Sequence, residues 1–262
     1  MNFICNALVS PEDKRDFIFV GTTNDLPEIL DYRKDLQPVR YQGAQGTCYA
    51  QSAACLKEWQ EYKDYGFKGQ FSPQFFYNNR KNINDENDKN DSGMYSRDVM
   101  KLLTTIGICT EYTYPYGKIE DKKDIPEKVY EEAKSHIIKA YAKVTDLEKT
   151  KRSLCENGPC FIIFPVYNYT PEFWKNLEKK DKVGLHAVVL VGYNKEGFIV
   201  RNSWGIKWGK NGYGIYKYED WGCHNEIWTI VDEKTPLEKI QEFQLDEERP
   251  PVIPPKPCCI IL

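Results

Sequence analysis

The two halves of this 262-residue chain show different hydrophobic periodicities. Segments that begin at Cys48 and Tyr95 place apolar side chains at helical spacing, and Ser72-Pro73 offers a helix between them a capping residue and an N1 proline. A helical half followed by a β-rich half predicts an α+β fold of two lobes with a cleft between them. The β-rich half has alternating or apolar runs punctuated by Gly and Asn, which indicate strands at 136–144, 160–166, 184–193, 198–202, 213–218 and 227–231, with one capped helix at 146–156.

Charge and proline content mark the boundaries of the folded domain. We expect this domain at 28–232, with a helical lobe at about 40–115 and a β lobe at about 116–232. Residues 1–27 are expected to form a strap or a short pro-segment, and residues 233–262 a charged, Pro-rich tail. A net charge of −3 and a pI near 5.8 give no electrostatic footprint for nucleic acid. No apolar run of about 18 residues, the length of a membrane-spanning helix, occurs in the sequence.

The stretch 42–48 has the features of a nucleophile placed at the start of a helix. Gly43 and Gly46 permit a tight turn, and the segment after Cys48 contains neither Gly nor Pro until Gly66. A cysteine in the first turn of a helix lies near unpaired backbone N–H groups and the positive end of the helix dipole, which favour the thiolate. Because a cysteine at a helix start can equally be a small buried apolar residue, its role depends on finding partner residues.

The nine cysteines and three histidines limit which other sites are possible. The first residues lack a basic region followed by an apolar core, so we expect no signal peptide. An odd number of loosely spaced cysteines without an export signal favours a reducing compartment. No CxxC or HxxxH pair occurs, and we therefore expect neither a metal site nor a cofactor.

His186 is the best placed of the three histidines to act as a base. His136 falls in an alternating segment and His224 in a turn, where structural roles are more common. His186 lies at the start of a long apolar strand, which provides a rigid mount at the cleft. Asn202 follows in a Gly- and Trp-rich element that extends to Gly214.

These motifs resemble those of the papain-like cysteine peptidases, the cathepsin family. The resemblance extends from about Leu26 to Val231, and His186 follows Cys48 at the spacing of about 130 to 150 residues expected for this family. It rests on Gln42-Gly43 with Cys48, His186-Ala187, Tyr112-Thr113-Tyr114-Pro115-Tyr116, and Asn202-Ser203-Trp204-Gly205 continuing to Trp208-Gly209 and Gly212-Tyr213.

The resemblance implies a role for each residue of the set. Cys48 is the expected nucleophile and His186 the general base and acid, resting as a thiolate–imidazolium pair. Asn202 is expected to orient the imidazole, as in a Cys-His-Asn arrangement, and Trp204 to shield that contact from water. Gln42 is expected to form the oxyanion hole together with the backbone N–H of Cys48.

For the substrate, the resemblance implies an extended peptide in the cleft. Gly93 matches the glycine whose backbone pairs with that peptide, and Trp228 falls near the floor of the main specificity pocket, although an interior Trp fits the same pattern. Secreted members carry a disulfide where this chain has Gln45 and Asn90, and its absence again favours a reducing compartment. The segment before the domain is too short for a long helical propeptide, and we hypothesise that it straps the domain or crosses the cleft as a short inhibitory segment.

The last four residues, from Cys259 to Leu262, match a CaaX box behind a Pro-rich run. A C-terminal Leu points to geranylgeranylation of Cys259 by a prenyltransferase of the source cell or of a host cell. One lipid binds a membrane only reversibly, and Cys258 is the candidate for a second one. These features predict a cytoplasmic protein tethered to a membrane surface.

Three functions remain open at this stage. The first is a monomeric peptidase that cleaves peptide or protein substrates, expected to be an endopeptidase, through a thioester on Cys48. The second is a catalytically silent adaptor that binds peptides in the same cleft. The third is an amidase or acyl transferase that uses the same residues on a different acyl group.

Overall fold

A computed structural model describes residues 3–80, 91, 93–117 and 119–232. Five helices and seven strands lie within these ranges. In chain order they are β1 (Leu30–Asp31), α1 (Cys48–Tyr65), α2 (Pro73–Asn78), α3 (Ser96–Thr105), α4 (Glu127–Lys134), β2 (Ala140–Val144), α5 (Leu147–Asn157), β3 (Cys160–Val166), β4 (Gly184–Tyr193), β5 (Gly197–Arg201), β6 (Tyr213–Lys217) and β7 (Glu226–Val231).

Helix α1 is the central element, because it packs on α2 and α3 on one side and on β3 and β4 on the other. Its residues 48–61 are all buried, including two acidic residues and a lysine. Lys57 is 1% exposed, pairs with Glu61 at 2.9 Å and with Asp232, and donates to the Ile137 carbonyl at 2.9 Å. Buried charges persist only when they are paired in this way. Gly66 ends the helix in a left-handed conformation, as its sequence predicts.

The strands form one antiparallel sheet in the order β2-β7-β3-β4-β5-β6, with β1 paired to β4. Residues that are distant in sequence meet at one end of this sheet. His186 lies near the start of β4, and Asn202 directly follows the end of the neighbouring antiparallel strand β5. The pairing of β4 with β5 therefore brings these two residues to the same edge.

The α+β, two-lobed fold is confirmed, and most predicted elements have the expected bounds. The strand predicted at 136–144 begins only at Ala140, because His136 instead contacts the Glu61 carboxylate at 3.1 Å. Helix α4 was not predicted from the sequence. Within the described ranges, no helix is both long and apolar enough to cross a membrane.

The N-terminal region has two parts with different contacts. Residues 17–31 lie along the β lobe, where Phe17 and Phe19 exchange backbone hydrogen bonds with Lys143 at 2.7 and 2.9 Å and Leu30 pairs with Tyr193. Residues 3–10, which we call the cleft segment, leave this surface and run between the walls of the cleft.

Candidate active site

Cys48 is the first residue of α1 and its side chain is completely buried. The turn before it is held by Tyr116, whose hydroxyl donates to the Gln42 carbonyl at 2.8 Å and lies 2.7 Å from the Thr47 hydroxyl. The backbone N–H groups of Ala187 and Tyr49 lower the pKa of the Cys48 thiol, although burial has the larger, opposite effect. Ala187 directly follows His186 in β4.

The imidazole of His186 contacts the side chain of Asn202. The ring Nε2 lies 2.7 Å from Asn202 Oδ1, and both side chains are buried. The same amide oxygen accepts the Ser203 N–H at 2.7 Å, which fixes the orientation of the amide. The other ring nitrogen, Nδ1, makes no hydrogen bond with the described residues. His186 therefore has one nitrogen committed to Asn202 and one that remains for proton transfer.

Trp204 covers the imidazole of His186. The two rings stack with centroids 4.4 Å apart and an interplanar angle of 22°. Phe3 of the cleft segment stacks in turn on Trp204 at 4.8 Å and 5°, and Tyr169 meets the same indole edge-on. The Asn202–His186 contact is thus enclosed by aromatic rings, which keep water from competing for its hydrogen bond.

Gln42 is anchored at both ends of its amide. Ser203 Oγ donates to its Oε1 at 2.6 Å, and its Nε2 donates to the Gln45 carbonyl at 3.0 Å. Nε2 also lies 3.5 Å from the carbonyl oxygen of Ile4. A carbonyl of the cleft segment is therefore positioned beside the donor that the sequence assigns to an oxyanion hole. Ser203 was not singled out from the sequence, although it lies within the Asn202 motif.

The cleft segment forms backbone hydrogen bonds with both walls of the cleft. On the wall that carries His186, Leu185 N–H donates to Cys5 O and Ala7 N–H donates to Leu185 O, both at 3.1 Å. On the opposite wall, Leu8 N–H donates to Met94 O at 3.0 Å. Leu8 also donates to and accepts from the Tyr49 hydroxyl, at 2.7 and 2.6 Å. An extended stretch of this chain therefore occupies the position expected for a peptide substrate.

Two glycines permit this close approach. Gly93 has a φ of 79°, and a Cβ on it would lie 1.9 Å from the Asn6 carbonyl oxygen. A Cβ on Gly184 would lie 1.9 Å from the Cys5 carbonyl oxygen. Gly93 thus lies directly against the backbone of the cleft segment.

Burial shifts the pKa values of Cys48 and His186 in opposite directions. It raises the pKa of the Cys48 thiol to about 12, against the lowering effect of the Ala187 and Tyr49 N–H groups. It also lowers the pKa of His186 to about 4, although Asn202 opposes this. A neutral thiol and a neutral imidazole are therefore favoured in the closed state. The expected thiolate–imidazolium pair differs from this because each charge would lose its hydration here.

Trp228 is fully buried in β7, and its indole N–H donates to Glu226 Oε2 at 3.1 Å. Glu226 accepts the Ser10 N–H of the cleft segment at 3.0 Å, and the sequence did not point to this residue because a single acidic residue at the start of a strand forms no distinctive pattern. Cys258 and Cys259 lie outside the described residues. All seven cysteines within the described ranges are free, and no group of three or more His, Cys, Asp or Glu side chains there could hold a metal ion.

Comparisons with known proteins agree on one family. The model of the papain family cysteine protease matches residues 26–229. The chain is 30% identical to a peptidase C1-like protein of Acanthamoeba polyphaga mimivirus, over 93% of this chain and 91% of that protein. It is 29% identical to cathepsin K of Mus musculus over 72% of its length, and spans 59% of that relative. Among solved structures, xylellain, a cysteine protease from Xylella fastidiosa, is 26% identical with a TM-score of 0.78, covering 87% of this chain and 96% of that chain.

Proposed function

Since this chain belongs to the papain family of cysteine proteases and is a cysteine-type peptidase, we propose that Cys48 is its nucleophile and His186 its proton carrier. The observation that supports this best is the 2.7 Å contact of His186 Nε2 with Asn202 Oδ1, next to Ala187, whose backbone N–H lowers the pKa of the Cys48 thiol. It unites residues from α1, β4 and the end of β5 in one buried site. A nucleophile, a base and a group that orients the base are the components that acyl transfer requires.

The proposed reaction begins with transfer of the Cys48 proton to His186 Nδ1. The thiolate then attacks the carbonyl carbon of the substrate, and the C–N bond breaks as Nδ1–H protonates the leaving amine. Water, deprotonated by the same nitrogen, hydrolyses the resulting thioester and restores the thiol. Asn202 Oδ1 accepts the Nε2 proton throughout and keeps the ring aligned with Cys48.

We assign the oxyanion hole to the Gln42 side-chain amide and the backbone N–H of Cys48. The Ile4 carbonyl 3.5 Å from Gln42 Nε2 supports this assignment, because it shows that this amide can face a carbonyl oxygen of a peptide in the cleft. Ser203 prevents the Gln42 amide from turning, since its hydroxyl holds the amide oxygen.

The closed chain is proposed to be a latent form of the enzyme. The cleft segment covers both catalytic side chains, and its backbone satisfies hydrogen-bonding groups that a substrate would otherwise use. Displacement of residues 3–10 would expose the pair to water and permit the thiolate and imidazolium to form. Residues 17–31 would remain on the β lobe, where they have their own contacts.

Cleavage within chains rather than at their ends is proposed because the cleft accommodates a continuous peptide on both sides of Cys48. Phe3 contacts Trp204 at one end of the cleft segment, and Ser10 contacts Glu226 at the other. We propose that one copy of the chain suffices, since every group of the site comes from a single chain. Light scattering of the purified protein would measure this.

A peptidyl epoxide followed by cleavage of a peptide library tests the reaction. We expect the full chain and a version lacking residues 1–10 to be labelled at Cys48, faster in the shorter version, and to cleave internal peptide bonds. A Cys48→Ala chain is the control. Labelling without cleavage would favour the peptide-binding adaptor, and transfer of the acyl group to an added amine would favour an acyl transferase. No labelling of either version would refute the assignment of Cys48.

The tail is proposed to anchor the enzyme to a membrane from the cytoplasmic side through a prenyl group on Cys259 and a palmitoyl group on Cys258. The sequence match is the support for this, since both residues lie outside the described part of the chain. Expression in cells that contain prenyltransferases, followed by fractionation, tests it. Cys259→Ser should move the protein to the soluble fraction and Cys258→Ser should weaken its retention. An unchanged membrane fraction for Cys259→Ser would contradict the proposal.

A further inference from the structure

The Asp91 carboxylate joins the turn before Cys48 to helix α2. Its Oδ2 accepts the Gly46 N–H at 2.7 Å, and its Oδ1 accepts the hydroxyl proton of Tyr77, a fully buried residue of α2. The direction of the second bond follows from Gly93, whose N–H donates to the same hydroxyl at 3.3 Å and so directs its proton towards Asp91. Both carboxylate oxygens are therefore acceptors, each with its own donor.

The link belongs to the peptidase domain and is independent of the cleft segment. Asn6 of that segment donates to the backbone carbonyl of Asp91 rather than to its carboxylate. Displacement of the segment would therefore leave the bonds of Gly46 and Tyr77 to the carboxylate in place. The effect of Asp91 on the site is thus available to the open form of the enzyme as well as to the closed form.

One peptide group carries this link to the oxyanion hole. The peptide between Gln45 and Gly46 presents its N–H to Asp91 Oδ2 and its carbonyl oxygen to Gln42 Nε2, which donates to it at 3.0 Å. This peptide is trans, and the N–H and C=O of a planar trans peptide point in opposite directions. Fixing the N–H against Asp91 therefore also fixes the carbonyl that faces Gln42. Rotation of the peptide would break both bonds.

The Gln42 amide has two N–H bonds, and the link determines how they are used. One donates to the Gln45 carbonyl, and the other can face a carbonyl oxygen in the cleft, as the Ile4 oxygen 3.5 Å from Nε2 shows. Ser203 Oγ holds the amide oxygen at 2.6 Å. Asp91 thus acts on the nitrogen end of the amide through the peptide, and Ser203 acts on its oxygen end.

We propose that Asp91 is a positioning residue of the oxyanion hole, which holds the Gln42 amide in its donating orientation through the peptide before Gly46. This inference rests on the proposed function of Cys48 and adds a residue to the same site. A carboxylate suits the role because it offers an acceptor oxygen to Gly46 and another to Tyr77. An asparagine in its place has a single acceptor oxygen, and its NH₂ group would face the second donor.

Steady-state kinetics of Asp91→Asn in the full chain test the proposal. Saturation with a cleaved library peptide gives kcat for the open enzyme, so closure by the cleft segment does not enter this value. We expect kcat to fall about tenfold, as the loss of one hydrogen bond implies, and KM to change less than about threefold. A peptidyl epoxide should label Cys48 within about twofold of its rate in the unaltered chain, because alkylation places no negative charge on a carbonyl oxygen.

A double-mutant cycle with Gln42→Ala separates positioning from a general structural role. If Asp91 acts through the Gln42 amide, Asp91→Asn should lower kcat less than about twofold once that amide is absent. A general structural role would lower kcat by the same factor in both backgrounds. Asp146→Asn is the matched control, because Asp146 also accepts a backbone N–H, from Lys149 at 2.8 Å, but does so at the start of α5. It should leave kcat unchanged.

Tyr77→Phe provides a second test if Asp91→Asn does not fold. It removes only a hydroxyl, keeps the Gly46 bond to Asp91, and should lower kcat about two- to fivefold, again only when Gln42 is present. An unchanged kcat in the folded variant, or an equal loss with and without Gln42, would overturn the proposal while the unaltered chain still cleaves peptides. If the unaltered chain cleaves no peptide and the epoxide does not label Cys48, the proposed function itself fails, and the positioning role with it.

Discussion

Replacement of Phe3 by Ala should open the latent enzyme. Phe3 stacks on Trp204 with centroids 4.8 Å apart and meets Tyr41 and Tyr169 edge-on, both at 5.9 Å. Loss of the stacked pair costs about 1 kcal/mol beyond burial. The lost burial of a half-exposed ring adds about 1 kcal/mol. A total of about 2 kcal/mol would increase the equilibrium constant for opening of the cleft segment about 30-fold.

The rate at which a peptidyl epoxide labels Cys48 measures this opening. When the cleft segment opens and closes faster than the reagent reacts, the observed rate is the intrinsic rate multiplied by the opening equilibrium. Phe3→Ala should therefore be labelled about 30-fold faster than the unaltered chain. Tyr112→Ala provides a matched aromatic control, because Tyr112 is 95% exposed. Equal labelling rates for Phe3→Ala and the unaltered chain would refute the view that this stack holds the cleft closed.

Three further predictions concern the site and the core. Gln42→Ala should lower kcat about 10²- to 10³-fold, and Ser203→Ala about tenfold through the lost anchor; similar KM values for both would agree with a role in the transition state, and an unchanged kcat would contradict it. Lys57→Ala should destabilise the fold by about 3 to 5 kcal/mol in denaturant titrations, since it removes the buried ammonium group that pairs with Glu61 and Asp232, whereas removing the exposed Lys195 should cost under about 0.5 kcal/mol. Burial lowers the pKa of His186 and of His224 to about 4. Between about pH 4 and about pH 6.5, the unfolded chain therefore binds more protons than the folded chain. Stability should then fall on acidification across this window, by up to about 1.4 kcal/mol per pH unit for each histidine, and His224→Gln should reduce the slope; a flat profile would show that these histidines are not held neutral.

Local signals in the sequence identified most elements of the fold. The glycines at 43 and 46 and the uninterrupted segment after Cys48 correctly placed the start of α1. Ser72 caps α2 through Phe75 N–H at 3.0 Å, as Ser-Pro predicts. The buried strands β3 and β4 have the predicted bounds, because continuous apolar runs bounded by turn residues leave few alternatives.

The candidate site followed from the sequence only once several motifs were considered together. Cys48 alone is compatible with a structural role. His186 is a candidate base only because it lies at the start of a buried strand and because Asn202 follows in a distinctive motif. The structure brings these residues and Gln42 to one place, with the Asn202–His186 bond at 2.7 Å. Trp204 covers the imidazole, as the family pattern implies. The role of Trp228 in substrate selection stays a prediction, and in the structure its indole supports Glu226.

The sequence by itself therefore determined the α+β class, the start of α1 at Cys48 and the residues expected to act with this cysteine. Short-range patterns such as turn residues, helix caps and hydrophobic periodicity specify these features, because they act on the local backbone conformation. Only the tertiary structure decided that residues 3–10 lie in the cleft, that Cys48 and His186 are buried, and that Glu226 reaches the segment. Such features depend on which distant surfaces pack together and on how much water they exclude, and a local pattern specifies neither. The charge state of a catalytic pair is set by its environment, so the same residues can form a latent or an active site.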